Sequence, residues 1–231
     1  MLPGYHYSYL VGTGFFWVAW IACFVFGQRY RREIVSGTWI ASLMAFTSPL
    51  FVPQYWTPPS LFNLDQRIRV GIEDFLWAAA VGGIASVVGE VVVRERLAAS
   101  RRSRHTRHYY PFFLVGLVFV LLEFWRNNTM DNTIISLTAG ALVLAYLRRD
   151  LIPLMLTSTV SFTALYFVLY LLVLFFYPQF VLRFYNLPNL LGIYIHRVPI
   201  EELLFAATFG AIWSVGYEYV HGYRLEAAGV I

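Results

Sequence analysis

The chain has 231 residues, of which 59% are hydrophobic, 19% aromatic and only 13% charged. A soluble domain carries about 25% charged residues, so this composition excludes a water-facing globule, and its wealth of apolar side chains excludes a disordered chain. All 17 basic residues are arginine; without a lysine there is no Schiff base, which removes retinal pigments, pyridoxal enzymes and lysine aldolases.

A membrane span needs about 20 mainly apolar residues. Seven stretches qualify, near Tyr9–Phe26, Ile34–Val52, Gly71–Val93, Tyr109–Trp125, Thr133–Leu147, Leu151–Tyr177 and Val198–Val220. The fifth is short and the sixth long enough to tilt. The first stretch has no basic residue before it, so it reads as a retained span rather than a cleaved signal. The single cysteine, Cys23, lies inside it and reads as a packing residue.

Between the spans the arginines divide unequally. Twelve fall on one side (Arg29, Arg31, Arg32, Arg94, Arg96, Arg101, Arg102, Arg104, Arg107, Arg148, Arg149 and Arg224) and five on the other (Arg67, Arg69, Arg126, Arg183 and Arg197). The positive-inside rule puts the twelve in the cytoplasm and the amino terminus outside. The net charge of +4 is then topological, the Arg94–Arg107 loop faces lipid headgroups, and no nucleic-acid partner is expected.

An internal duplication carries more information. Arg69–Val92 (RVGIEDFLWAAAVGGIASVVGEVV) aligns without a gap on Arg197–Val220 (RVPIEELLFAATFGAIWSVGYEYV), with 13 of 24 positions identical. Chance likeness of two apolar helices does not align an arginine, a leading glutamate and a trailing glutamate. The matched stretches are spans three and seven. The chain therefore reads as an all-α, seven-helix membrane protein in one domain. It has a 3+1+3 parallel repeat: repeat one over about 5–93, a linker helix over about 109–125 and repeat two over about 133–220. In each matched helix a seam recurs at spacing four: Asp74, Ala78, Gly82, Ser86 and Glu90, then Glu202, Ala206, Gly210, Ser214 and Glu218. Small residues at this spacing let helices approach closely in lipid, and spans three and seven are expected to cross along it.

Ionisable residues inside a membrane are costly and point to function. Glu73, Asp74, Glu201 and Glu202 occupy the first turns of the duplicated helices, and Glu123 ends the fourth span in the same leaflet. Capping of the helix dipole and pairing with Arg69, Arg197 and Arg126 are the structural alternatives. Glu90 and Glu218 lie 17 residues after Glu73 and Glu201, about 25 Å away at the opposite boundary. The histidines (His6, His105, His108, His196 and His221) have no ligand spacing, and no HExxH or DxxxD pattern occurs. No metal site and no cofactor are therefore expected.

The segment Val198–Phe205, VPIEELLF, resembles the Pro-x-Glu-Glu-x-x-x-Phe signature of the membrane-integral lycopene cyclases. Val70–Trp77, VGIEDFLW, resembles a second copy in which Gly71, Asp74 and Trp77 replace the proline, the second glutamate and the phenylalanine. The resemblance implies metal-free, cofactor-free, non-redox cyclisation of a polyene such as lycopene in a bacterial or archaeal plasma membrane, as an intramolecular lyase or isomerase. Glu201, Glu202, Glu73, Asp74 and Glu123 are its candidate acids and bases. Trp77, Phe205, Trp125 and Trp213 are candidate aromatic faces for substrate and carbocation. Two alternatives remain: a cyclase of another isoprenoid, and a small carrier of the PQ-loop type, which has the same 3+1+3 layout but places its Pro-Gln pair in the first helix of each repeat, whereas Pro53-Gln54 and Pro178-Gln179 fall near the end of the second.

Overall fold

The computed structural model describes residues 3–92, 97–98, 109–221 and 226–227. Arg94, Arg96, Arg101, Arg102, Arg104, Arg107 and Arg224, used above for topology, and His105 and His108 lie outside the described residues.

The chain is almost wholly helical. Helix α1 spans Ser8–Phe26. α2 (Arg31–Ser42) runs through a 3-10 turn, Leu43–Thr47, into α3 (Ser48–Phe51). A connection bearing the short α4 (Leu64–Ile68) leads to α5 (Ile72–Ala85) and α6 (Val88–Val92). Strand β1 (Leu97–Ala98) precedes α7 (Tyr110–Trp125) and α8 (Thr129–Leu147). α9 (Ile152–Phe176) and the short α10 (Phe180–Phe184) follow. A two-residue hairpin of β2 (Tyr194–Ile195) and β3 (Val198–Pro199) delivers α11 (Ile200–Trp213), then α12 (Gly216–His221) and β4 (Glu226–Ala227), which pairs antiparallel with β1.

Among the described residues, five helical stretches are long and apolar enough to cross a membrane: Ser8–Phe26, Gln28–Phe51, Thr129–Leu147, Arg149–Phe176 and Ile200–His221. The protein is an integral membrane protein of helical class. α7 is apolar but shorter, and α5–α6 carries three acids and a break. The fifth stretch starts four residues before its expected beginning, at Thr129, because the Asn128 side chain caps the helix by accepting from the Asp131 N–H at 3.2 Å.

The two duplicated helices behave alike. Each breaks at the same aligned place, after Ala85 and after Trp213. Each is preceded by an arginine in the left-handed region, Arg69 at φ 59° and Arg197 at φ 70°. Each packs between two earlier helices: α5 against α1 and α2, and α11 against α8 and α9.

The small-residue seam does not join α5 to α11. It seats each helix on a helix of its own half of the chain. A Cβ on Gly82 would lie 2.1 Å from the Ala41 Cβ of α2, and one on Gly210 would meet the Phe162 side chain and the Ser158 carbonyl of α9 at 3.1–3.2 Å. α5 and α11 touch only at points, through the Trp213 Nε1–H donated to the carbonyl of the seam residue Gly82 (3.0 Å) and the stacked rings of Trp77 and Phe205. The expected crossing fails at the small residues and is met only at the far end of the seam, where Glu90 and Glu218 come together, because small residues at spacing four mark a close approach without naming the partner.

Gly82→Ala is therefore expected to destabilise by about 1–3 kcal/mol through overpacking. Gly14→Ala, where an added methyl meets nothing within 4 Å, is expected to be neutral or mildly stabilising. Thermal unfolding of both variants in detergent checks the contrast.

Candidate active site

A carboxylate buried among apolar side chains needs donors to replace water, and the two duplicated helices supply the same need by different means. Asp74 is 5% exposed and accepts from the Tyr9 hydroxyl (2.9 Å), the Ser48 hydroxyl (2.7 Å) and the Gly71 N–H (2.9 Å). Its counterpart Glu202 is also 5% exposed and accepts from three phenols: Tyr55 (2.8 Å), Tyr166 (2.5 Å) and Tyr185 (2.7 Å). Tyr170 extends this cage through the Tyr185 hydroxyl at 2.7 Å.

The first acid of each pair faces elsewhere. Glu73 accepts from the Leu61 N–H at 2.8 Å, and Glu201 accepts from the Leu191 N–H. Both are 1% exposed, and each fastens the connection that precedes its helix. Neither reaches its arginine: among the described residues the salt bridges are Arg126–Asp131 and Arg148–Asp150, and Arg69 and Arg197 are exposed.

Between the two halves of the chain lies a cavity of about 420 Å³, within the range of small-molecule sites. Asp74 and Glu202 are the two carboxylates on its wall. Trp77 and Phe205, one turn further along their helices, also line it, with ring centroids 6.0 Å apart and 26° between planes. Phe209 continues the stack at 5.4 Å from Phe205. Glu73 and Glu201 are not part of the wall.

The remaining candidates lie off the cavity. Glu123 accepts from the Asn132 amide (2.7 Å) and the Thr129 hydroxyl (3.2 Å), bracing α7 on α8. Trp125 is 89% exposed. Trp213 stacks on Phe209 at 4.8 Å and ties α11 to α5. Gln54 of the first Pro-Gln pair bonds Thr129 through its side chain and accepts from the Asn186 and Asn189 amides through its carbonyl; it is a structural junction.

Asp65, which sequence reasoning passed over, lies behind Asp74. It is 0% exposed and neither carboxylate oxygen has a hydrogen-bond partner. Burial and the neighbouring Asp74 carboxylate push it up to about 7. It borders a second pocket of about 310 Å³ with Gln66 and Arg69. A Cβ on Gly71 would meet the Asp65 Oδ2 at 2.9 Å and the Glu73 Oε2 at 3.1 Å. The missing proline of the first motif copy is thereby explained. The acids occupy the space a proline ring needs, and Asp74 uses an N–H that proline lacks. The tyrosine cage was also invisible in the sequence, because its members come from α9 and from connections beyond the aligned segments.

The comparison with known families falls on the second of these two arrangements. Residues 128–220 match the family described as lycopene cyclase. The match spans 93 of the 231 residues. Comparison with curated proteins and with solved structures returned no significant match. The lycopene cyclase match covers Glu202 with its partners Tyr166 and Tyr185, while Tyr55 comes from outside it, and the first half of the cavity is tied to the match by the duplication. It supports a carotenoid cyclase-like function on a lipophilic substrate in a membrane.

Gly71→Pro, although it restores the motif, is expected to lower stability by about 1–3 kcal/mol through the lost donor and the crowded carboxylates. An unchanged or raised Tm would contradict this account of the departure.

Proposed function

We propose that the chain is a membrane-embedded, non-redox cyclase of a polyene end group, lycopene being the substrate that the family match favours. One observation carries the reading: the second acid of each duplicated helix, Asp74 and Glu202, faces a shared apolar cavity beside the stacked Trp77 and Phe205. A 3+1+3 arrangement with the acid pairs toward the outer leaflet accounts for the duplicated helices and their equivalent packing.

The chemistry is one of proton positions. Asp74 donates a proton to the terminal double bond and leaves a tertiary carbocation. The neighbouring double bond attacks it, the six-membered ring closes and the positive charge moves onto the ring. The Glu202 carboxylate removes a ring proton, the C–H electrons form the new double bond, and the product is an isomer of the substrate. The faces of Trp77 and Phe205 stabilise the cation through their quadrupoles, and the apolar wall keeps water from capturing it.

Acid and base differ because their surroundings differ. Asp74 has a second buried carboxyl, Asp65, beside it, so that a proton can be handed from one to the other. Glu202 stands among three phenols that each donate to it, an arrangement that holds a carboxylate as a base. Each turnover leaves Asp74 one proton short and Glu202 one proton rich. Asp65, at the second pocket, resupplies Asp74 from the membrane surface, and Glu202 gives up its extra proton to water before the next turnover. Glu73 and Glu201 act as positioning residues for the two connections.

The test is expression in lycopene-accumulating cells followed by pigment analysis. Wild type is expected to yield cyclised carotene, and Asp74→Asn and Glu202→Gln to lose at least about 100-fold in turnover. Unchanged lycopene with wild type would overturn the carotenoid reading, and uptake of a small solute into proteoliposomes would favour the carrier. A second outcome concerns pH. Asp65 is neutral below about 7 and charged above it, so turnover falls as pH rises through that value. Asp65→Asn abolishes that limb and slows the reaction at all pH values. An unaltered pH profile in this variant would remove Asp65 from the proton route.

A further inference from the structure

Far from the cavity, at the other end of the duplicated helices, three carboxylates converge that the cyclisation chemistry does not use. Glu33 comes from the first turn of α2, Glu90 from α6 and Glu218 from α12. One carboxylate oxygen of each lies within 4.8 Å of the others. Glu90 is 7% and Glu218 5% exposed, and the Oε2 of all three is buried without a hydrogen-bond partner. The unpartnered Oε2 atoms of the nine-tenths-buried Glu90 and Glu218 are the feature that asks for a ligand, because buried polar atoms are as a rule partnered.

Three carboxylates held this close out of water repel one another strongly. The spacing suits a cation. Oxygens bound at about 2.1–2.6 Å around one ion lie no more than roughly 4.2–5.2 Å apart, which brackets the observed separation. An all-oxygen, all-carboxylate donor set selects hard divalent ions of the magnesium, calcium and manganese class over zinc or copper. We propose that Glu33, Glu90 and Glu218 form a binding site for one such divalent cation, which clamps α2 and α6 of the first half of the chain to α12 of the second. Glu90 and Glu218 are aligned partners in the duplication, so the site, like the cavity, is built where the two halves meet. It stands about 25 Å along the helices from the paired acids and is independent of the cyclase reading.

The experiment uses the full chain, purified in detergent and stripped with EDTA. Manganese is titrated as the probe and followed by electron paramagnetic resonance, with calcium and magnesium as competitors, and thermal unfolding is recorded at each point. The expected result is saturable binding of one manganese ion per chain, displaced by calcium or magnesium, with Tm raised by at least about 3 °C. Glu218→Gln and, separately, the half-buried Glu33→Gln are each expected to weaken manganese binding at least 10-fold (an expectation of the order of one lost charged ligand) and to abolish the Tm rise. Absence of saturable binding in the wild-type chain would overturn the proposal. So would binding unchanged in Glu33→Gln. A Tm raised by either glutamine in EDTA, with no cation effect in wild type, would show that the three acids share protons instead.

Discussion

Everything in this molecule turns on how a carboxylate is kept in a place with little water. The helices are apolar around most of their circumference, yet each duplicated helix opens with two acids. The chain resolves the conflict by giving the acids different work. The first of each pair, Glu73 or Glu201, turns back and takes a backbone N–H of the preceding connection. The second, Asp74 or Glu202, turns inward and takes three donors from three separate places. Those donors pin α1, the start of α3 and the connections after α3 and α10 around the acids. The same hydrogen bonds that make the charges tolerable therefore shape the cavity they face.

The duplication supplies symmetry, and the chemistry depends on where it is broken. Glu202 is caged by phenols alone. Asp74 has a backbone donor, made possible by Gly71, and a buried carboxyl neighbour in Asp65; the position aligned with Asp65 in the second half is Ile193. Equivalent acids in equivalent helices thus acquire unequal surroundings, which a reaction with one proton donated and one removed requires. Trp77 and Phe205 vary the theme in the other direction: different residues, aligned in sequence, that meet as one stack.

Much of this was legible in the residues. Composition and the apolar stretches announced a helical membrane protein, and the gapless alignment of Arg69–Val92 on Arg197–Val220 brought the relevant helices together. The acid pairs stood out because charge is rare in such a chain. What stayed hidden is what depends on distance in space. Which acid of a pair turns inward follows from the path of the connection before the helix, and no spacing encodes that path. Tyr55, Tyr166 and Tyr185 belong to a set of 16 tyrosines and share no motif. Asp65 sits in an irregular connection among polar neighbours. Glu33, Glu90 and Glu218 come from three separate segments, so no ligand pattern appears along the chain. The seam misled for a related reason: it records that a helix is approached closely, and both α5 and α11 are approached by helices of their own half.

The central claim is that a polyene end group enters between the two halves and is held by the second acids and the Trp77–Phe205 stack. A crystal structure of the Glu202→Gln variant with lycopene bound tests it most directly. The account predicts one end group in the cavity, its terminal double bond beside Asp74 and its ring-forming carbons against Trp77 and Phe205. An end group seated outside the cavity, with Asp74 and the two rings untouched, would contradict it.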